Sequence, residues 1–406
     1  MKKLLTLLVA AIMAVACCLG LTACGKKGIS KDELKVGLIC LHDETSTYDK
    51  NFIDAFKAAC ANKGIKEDNI YIRTNIAEGA ACYDNAADLV DLGCQLIFAD
   101  SFGHEPYMIQ AAKEFKDVQF CHATGVKAHT EKLDNYHNAF ASIYEGRYLA
   151  GYAAGLKLNT MTDKAVDNNF KVGYVGAFPY AEVKSGYTSW FLGLRAALAD
   201  GYTATMDVTF TNSWYDFEAE GTAANTLISR GCVLISQHAD SMGAPNACEA
   251  AGVPNVSYNG STASACPNTF IVSSRINWVP YYEYCIDQMV GGDAIATDYT
   301  GTLGSTIYTG SVCLTELGDA AAEGTAAKLE EVATALKNGS IKVFDCAKFT
   351  KDGAAVDTYL ADVDDDGTYQ GETQVIKTEN GIKFFSESEY RSAPYFDIDI
   401  DGITIF

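Results

Sequence analysis

A short segment near the middle of the chain brings together three side chains that could do chemistry. Residues 234–243 read LISQHADSMG, and the apolar run in it stops before His238, Asp240 and Ser241. Serine, histidine and aspartate form hydrolytic triads, but triad members usually come from separate loops. A nucleophile elbow also needs Gly-x-Ser-x-Gly, which the sequence lacks. The segment is therefore more typical of hydrogen-bonding groups at a strand end.

Metal and phosphate chemistry have weaker support. His122, His129 and His137 show no repeated ligand spacing, and no Gly-x-x-x-x-Gly-Lys-Ser/Thr loop is present. An acidic turn near the C-terminus imitates the start of a calcium-binding loop, with Asp362, Asp364, Asp366 and Gly367. Its twelfth position is Thr373, beside Glu372, where a bidentate Glu is needed. A weak calcium site and a plain acidic turn stay open, and we assign no metal or cofactor.

Aromatic rings beside carboxylates and amides are more informative. Phe102 lies two residues after Asp100, and Phe178 ends an apolar run. Trp214 follows Asn-Ser, and Trp278 follows Arg-Ile-Asn. Planar heterocycles stack on such rings, while carboxylates and amides bond ring N–H groups or sugar hydroxyls. Each ring alone could be a core residue, but their joint placement after apolar runs favours a ligand site.

Short apolar runs alternate with longer amphipathic stretches along most of the chain. The predicted strands are 35–41, 69–74, 95–100, 118–124, 171–178, 205–211, 232–236 and 255–259. The predicted helices are 51–63, 82–92, 105–115, 144–158, 181–199, 217–229 and 244–251. This alternation predicts an α/β fold with parallel sheets that carry helices on both faces.

The alternating region is too long for one hydrophobic core, which predicts two doubly wound lobes with a cleft between them. In open α/β sheets, ligands bind beyond the carboxyl ends of the strands. Polar or aromatic residues follow those ends in two sets: His42, Asp49 and Asp100 in the first, and Trp214, His238, Asp240 and Asn259 in the second. We therefore expect the two sets to face one cleft.

The N-terminus has the pattern of a bacterial lipoprotein signal. A basic start precedes an uncharged run, and Leu21-Thr22-Ala23-Cys24 is a lipobox. We expect a signal peptide at 1–23, a lipid on Cys24 and a polar tether at 24–33. A plain membrane anchor is the alternative, because 18 uncharged residues could span a bilayer. The expected location is the extracytoplasmic face of the cell membrane.

The net charge limits the classes of partner that we expect, and the cysteine pattern indicates the redox state of the thiols. The formal net charge of −21 argues against nucleic acid, whose phosphates would be repelled. Eleven of the 14 cysteines lie after residue 24 with irregular spacing, and several fall within apolar runs. We expect most of them to be reduced and buried, since free cysteine packs as a small hydrophobe.

Several longer segments resemble the basic membrane protein family in the same order along 34–345. They include YDKNFIDAFKAA, IFADSFGHEP, FASIYEGRYLAGYAAGL, TNSWYDFEAE, LISQHADS and SSRINWVPYYEYCIDQMVGG. The resemblance implies a type I periplasmic-binding-protein fold. It also implies a lipid-anchored binding protein that delivers purine nucleosides or bases to an ABC transporter, without enzymatic activity.

The resemblance also implies a set of ligand-binding residues. They are Tyr48, Phe52, Asp100, Phe102, Phe178, Trp214, His238, Asp240, Asn259 and Trp278. Phe52 matches the family's base-contacting ring, and Trp214 and Asp240 match second-lobe loops that hold base or ribose. The first loop, HDETSTYDK, departs from the Asp-x-Gly-rich run of the nucleoside receptors, which leaves the ribose contacts undecided.

The resemblance further predicts how the chain divides. We expect three crossings, with the first lobe at 34–140 plus 260–300, the second at 141–259 plus 301–345, and an acidic extension at 346–406. The expected partners are a purine nucleoside or nucleobase, an ABC permease and, through the lipid, the membrane; the protein is expected to be a monomer. A surface purine sensor is one alternative. A nucleoside-cleaving enzyme is another, although it would need a cluster that activates water.

Overall fold

Two parallel sheets organise the protein. The computed structural model describes residues 28–363 and 372–406, so Cys24, the signal peptide and the middle of the acidic turn lie outside the described residues. The first sheet contains β1 (Val36–Ile39), β2 (Ile70–Arg73), β3 (Leu96–Ala99), β4 (Gln119–Ala123), β5 (Tyr136–Ala141) and β11 (Asp298–Gly301). Its order is β11-β5-β4-β3-β1-β2, and every pairing is parallel.

The helices of the first lobe cover this sheet. They are α1 (Thr47–Lys63), α2 (Ala80–Asp91), α3 (Glu105–Glu114), the short α4 (Ala128–Glu131) and α9 (Val279–Gly291). Helix α1 begins four residues before its predicted start because the Ser46 side chain caps it by accepting the Asp49 N–H at 3.2 Å. It ends at Gly64, whose φ of 73° is the left-handed conformation that favours glycine.

The second sheet is larger. It contains β6 (Asn169–Gly176), β7 (Thr203–Phe210), β8 (Ile235–Gln237), β9 (Asn255–Tyr258), β10 (Phe270–Ile276), β12 (Val312–Leu314) and β17 (Ile403–Ile405). The order is β12-β10-β9-β8-β6-β7-β17, with β12 antiparallel to β10 and the other pairings parallel. Its helices are α5 (Ile143–Leu158), α6 (Ala181–Ala197), α7 (Phe217–Ser229), α8 (Gly243–Ala251) and α10 (Thr325–Lys337).

Helices α5 and α6 pack against each other without room for side chains at two points. A Cβ atom on Gly151 would lie 1.9 Å from the Trp190 carbonyl oxygen, and one on Gly193 would lie 2.0 Å from the Tyr148 carbonyl oxygen. Glycine is therefore required at both positions, because any larger residue would push the two helices apart. This contact fixes where the first turns of both helices lie.

The predicted lobe boundaries need one correction. We expected 260–300 in the first lobe, but β10 at 270–276 belongs to the second sheet, where Ser273 lies opposite Ser257 of β9. The chain therefore returns to the first lobe after Ile276, and it crosses again between β11 and β12. The alternation pattern shows that a strand exists, but its pairing partner decides which sheet it joins.

The C-terminal extension is also less separate than expected. It forms two small ladders, β13 (Leu360–Ala361) with β14 (Thr373–Gln374), and β15 (Ile376–Glu379) with β16 (Ile382–Phe385), before β17 joins the second sheet beside β7. On the second lobe, Ser185 donates to Glu387 at 2.6 Å. On the first lobe, the Ser392 N–H donates to Asp298 at 2.8 Å. The extension therefore touches both lobes.

The expected free tether is shorter than predicted. The Ile29 N–H donates to the Met289 carbonyl at 3.0 Å, and a Cβ atom on Gly28 would lie 1.9 Å from the Val290 oxygen. The chain is thus docked on the C-terminal end of α9 from its first described residue.

The expectation for the cysteines is confirmed: the eleven cysteines from Cys40 to Cys346 are free and buried. Within the described residues, no helix combines the length and apolarity that a membrane span needs.

Candidate ligand-binding site

A cavity lies where the carboxyl ends of the two sheets face each other, and we call it the interlobe slot. Its water-accessible volume is about 20 Å³, room for about one water molecule, so the lobes must move apart to admit a larger ligand. The first lobe lines it with Leu41, His42, Tyr48, Asp49, Ser101, Phe102 and Thr124, and the second with Glu182, Trp214, His238, Asp240 and Tyr258. A ligand in the slot would therefore be held from both sides.

The two lobes also contact each other directly around the slot. The backbone N–H and the hydroxyl of Thr47 both donate to the Asp240 carbonyl, at 3.2 and 3.0 Å. The rings of Phe102 and Tyr180 stack across the gap, with centroids 5.2 Å apart. These contacts join residues from opposite lobes, so the structure is a closed arrangement.

An aromatic group forms one wall of the slot. The ring centroids of Trp214 and Phe178 lie 5.0 Å apart, and the ring planes meet at 64°, which is an edge-to-face contact. Phe178 in turn stacks on Tyr180 at 5.2 Å. The Trp214 carbonyl accepts the Asp240 N–H at 2.9 Å, which joins the two backbone segments, and both side chains line the slot. A flat ligand could stack on the indole while its edge meets Asp240.

The carboxylate of Asp240 is short of partners. It is nearly buried and lines the slot, yet no side-chain or backbone donor among the described residues bonds to it. Burial raises its pKa well above the usual value, and the nearby Asp49, Glu220 and Glu182 add to this, while Arg147 opposes it. A buried acceptor without a donor is unfavourable, so a ligand that supplies one would stabilise it.

His238 pairs with Glu182, whereas a catalytic triad would need it next to Ser241. Its Nε2 lies 3.4 Å from Glu182 Oε1, and its ring lies 4.9 Å from the Tyr258 ring. Burial, aided by Arg147, lowers the pKa of His238 to about 4, so the imidazole is neutral near pH 7. The Ser241 hydroxyl instead accepts the Gly243 N–H at 3.1 Å. His238 therefore makes no hydrogen bond to Ser241, and the carboxyl group next to Ser241 is that of Glu220.

Five of the ten residues implied by the resemblance line the slot: Tyr48, Phe102, Trp214, His238 and Asp240. The other five are not among its lining residues. Phe52 and Trp278 are buried and stack on each other at 4.5 Å, with Tyr48 4.8 Å from Phe52. Phe178 supports Trp214. Asn259 has a left-handed φ of 61°, and its N–H bonds to the Ser274 carbonyl.

Asp100 is a supporting residue in this structure. Its Oδ1 accepts the Leu41 N–H at 3.1 Å, and its carbonyl accepts the Tyr48 hydroxyl at 2.7 Å. Its side chain lies close to Cys40 and Asp49, with potential ligand atoms within 4.8 Å of one another. Burial, and then Asp49, raise the pKa of Asp100, and burial raises that of Cys40. Bound protons can thus satisfy this cluster without a metal ion.

Sequence reasoning missed five of the lining residues: Leu41, Ser101, Thr124, Glu182 and Tyr258. Glu182 lies in the first turn of α6, directly after the loop that ends β6. Tyr258 is the last residue of β9, whereas the sequence predicted the next residue, Asn259, as the ligand contact. Successive side chains of a strand point to opposite faces, so an error of one residue selects the wrong side chain. The position of Glu182 at a strand-to-helix connection was the available signal.

Comparison with known proteins identifies the family. The model of the family Bmp, described as ABC transporter substrate-binding protein PnrA-like, matches residues 39–347. The chain belongs to this family. It is similar to a purine-binding protein of Brucella abortus (strain 2308), with 32% identity over 256 residues that cover 62% of this chain and 68% of the relative. It is also similar to a putative ABC transporter glucose-binding protein, TsgA13, of Haloferax volcanii, with 30% identity over 59% of this chain and 58% of the relative.

Solved structures of binding proteins share the fold. A solute-binding protein of an ABC transporter system from Conexibacter woesei has a TM-score of 0.57 at 20% identity, covering 76% of this chain and 98% of its own. One from Aeropyrum pernix K1 also has a TM-score of 0.57, at 16% identity, covering 76% and 87%. The two-lobed periplasmic-binding fold is therefore confirmed. The protein is a substrate-binding protein of the ABC transporter type, which acts outside the cytoplasm.

Proposed function

We propose that this protein captures a purine nucleobase or nucleoside in the interlobe slot and delivers it to the permease of an ABC importer. The observation that carries the proposal is the Trp214 indole beside the Asp240 carboxylate, which has no donor of its own among the described residues. A purine has a planar face for the indole and N–H groups for the carboxylate. Stacking on an aromatic side chain contributes about 1–3 kcal/mol per base.

The closed arrangement supports capture between the lobes. The Thr47–Asp240 and Phe102–Tyr180 contacts join the lobes next to the slot, so a ligand there would favour closure by its contacts with both sides. A permease can then distinguish the closed, loaded form from the open one. The neutral His238 and the bonded Ser241 hydroxyl favour binding over cleavage of the ligand.

The proposal includes a lipid on Cys24, which rests on the lipobox. Because the chain is docked on the first lobe from Gly28 onward, at most residues 24–27 would separate the lipid from the docked chain. Four extended residues reach about 14 Å at most. The protein would therefore be held close to the membrane, with the C-terminal end of α9 near the attachment point.

The test is to identify what the purified protein holds and binds. Small molecules released by denaturation are identified by mass spectrometry, and calorimetry then compares adenine, adenosine, guanosine and glucose. We expect a purine in the released fraction and saturable binding of at least one purine, with no binding of glucose. A released sugar, together with glucose binding and no purine binding, would contradict the proposal. Chromatography of incubated nucleoside should show no free base, which separates binding from cleavage.

A further inference from the structure

A buried arginine lies directly behind one wall of the interlobe slot. Arg147 belongs to α5 and is only 1% exposed. The centre of its guanidinium group lies 3.3 Å from the centre of the Tyr258 ring, and Tyr258 lines the slot. A cation over the face of an aromatic ring is attracted to it, most strongly where water is excluded. Arg147 therefore supports this wall of the slot from outside the cavity.

The guanidinium group uses little of its hydrogen-bonding capacity. Its Nη1 donates to the Gln237 carbonyl at 3.0 Å, whereas Nε and Nη2 are buried and have no hydrogen-bond partner among the described residues. A buried charge without a partner is costly, because water no longer solvates it. Arginine stays protonated in proteins, so this side chain cannot lose its charge. That charge is available to act on the acidic groups of the slot.

The carboxyl group of Asp240 is under opposing influences. Burial comes first among the causes that raise its pKa well above the usual value, and Arg147 acts in the opposite direction. The acidic groups that raise it further are Asp49 of α1, Glu220 of α7 and Glu182 of α6. The other titratable groups nearby are neutral near pH 7, because burial raises the pKa of the hydroxyls and lowers that of the imidazole: Tyr48, Tyr174, Tyr258 and His238.

We propose that Arg147 is a positioning residue for the ligand site, which fixes the Tyr258 ring and favours the ionised form of Asp240. This inference rests on the proposed function, in which a purine N–H group donates to that carboxylate. An ionised carboxylate accepts such a bond, and hydrogen bonds to a charged partner are the stronger ones. Without the cation, the proton would stay on Asp240 to a higher pH. The loss of ligand binding at low pH should then begin at a higher pH.

The test is the pH dependence of binding, measured by calorimetry with adenosine and guanosine from pH 5 to pH 8. Wild-type affinity should fall towards low pH as Asp240 becomes protonated. Arg147→Met keeps an elongated side chain without the charge, and it should shift this fall to higher pH by about one unit, the scale for one nearby charge. Such a shift lowers the affinity at a given pH by up to about 10-fold. Arg147→Lys keeps the charge and should restore the wild-type pH dependence.

Matched variants locate the effect. Arg195 of α6 lies over the Phe191 ring at 5.5 Å but is exposed, so Arg195→Met should leave the profile unchanged. Asp240→Asn should flatten the profile, and adding Arg147→Met to it should produce no further shift. Arg147→Gln, which is also neutral, replaces Arg147→Met if circular dichroism shows that the latter does not fold.

Two results would overturn the inference and leave the proposed function standing. One is an Arg147→Met affinity that is lower by the same factor at every pH, which would indicate a purely structural role. The other is a pH shift that persists when Asp240→Asn is also present. If the wild type binds neither nucleoside nor adenine at any pH, the proposed function fails together with the inference.

Discussion

Glu220 supports the segment that carries Asp240, and its ionisation should be visible in the stability of the protein. Its Oε1 accepts the backbone N–H groups of Asp216 and Ser241, at 3.1 and 3.2 Å, and its Oε2 lies 3.2 Å from the Ser241 nitrogen. The side chain is fully buried. Burial raises its pKa from 4.5 to about 7, although these hydrogen bonds act in the opposite direction. Glu220→Gln keeps the shape and removes the titration.

The sign and size of the effect follow from linkage. Because the folded-state pKa lies above the unfolded one, the stabilising contribution of this carboxyl is complete below pH 4.5 and is lost as the pH rises through 7. The difference between the two pKa values corresponds to about 3 kcal/mol of unfolding free energy. The Glu220→Gln variant has no ionisable group at this position. Between pH 4.5 and a pH above 7, its free energy of unfolding should therefore fall by about 3 kcal/mol less than that of the wild type.

Urea unfolding at pH 4.5 and pH 8, followed by circular dichroism, measures this difference. Glu249→Gln is the control, because Glu249 is only partly buried and its pKa is lowered by hydrogen bonds from Thr269 and Asn268. The Glu249→Gln variant should lose as much stability between pH 4.5 and pH 8 as the wild type does. If Glu220→Gln and the wild type lose the same stability over this range, Glu220 is not the buried, titrating support that the geometry indicates.

Three further variants test the stacking on Trp214, the lipid anchor and the contact between the C-terminal extension and the first lobe. Trp214→Ala should weaken purine binding about 5- to 150-fold by calorimetry, the stacking scale, and an unchanged affinity would remove Trp214 from the site. Cys24→Ser should move the protein from the membrane fraction to the soluble fraction, and a membrane-bound variant would refute the lipid anchor. Asp298→Ala removes the acceptor of the Ser392 N–H and so loosens the C-terminal extension from the first lobe. Ligand release, measured by stopped flow, should become faster in this variant. Asp298→Asn keeps an acceptor and should change the release rate less.

The fold was largely predictable because the alternation of strand and helix patterns depends on local periodicity. The eight predicted strands and seven predicted helices have counterparts in the structure, with boundaries shifted by a few residues. The assignment of β10 was wrong because a strand's sheet depends on its pairing partner, far away in sequence. The docking of β17 beside β7 has the same origin, since nothing local in Ile403–Ile405 specifies a partner.

The site was predictable to the level of loops but not of side chains. Asp100, Ser101 and Phe102 follow the same strand, yet Asp100 lies behind the slot while the other two line it. The aromatic residues divide in the same way, with Phe52 stacked on Trp278 in the core. Orientation at a strand end depends on the last backbone turns and on packing from the opposite lobe. Neither is encoded in the residue type alone.

One of the segments that carry the family resemblance contributes no lining residue to the slot. EGRYLAGYAAG forms helix α5, where Gly151 permits the close approach to α6, and Arg147 lies behind the Tyr258 ring. Because α6 carries Glu182 in its first turn, this contact places one wall of the slot without touching a ligand. The recognisable motif therefore specifies the frame. In the proposed function the ligand contacts come from loop positions such as Asp240, outside this frame. Relatives named for a purine and for glucose can therefore resemble the same chain.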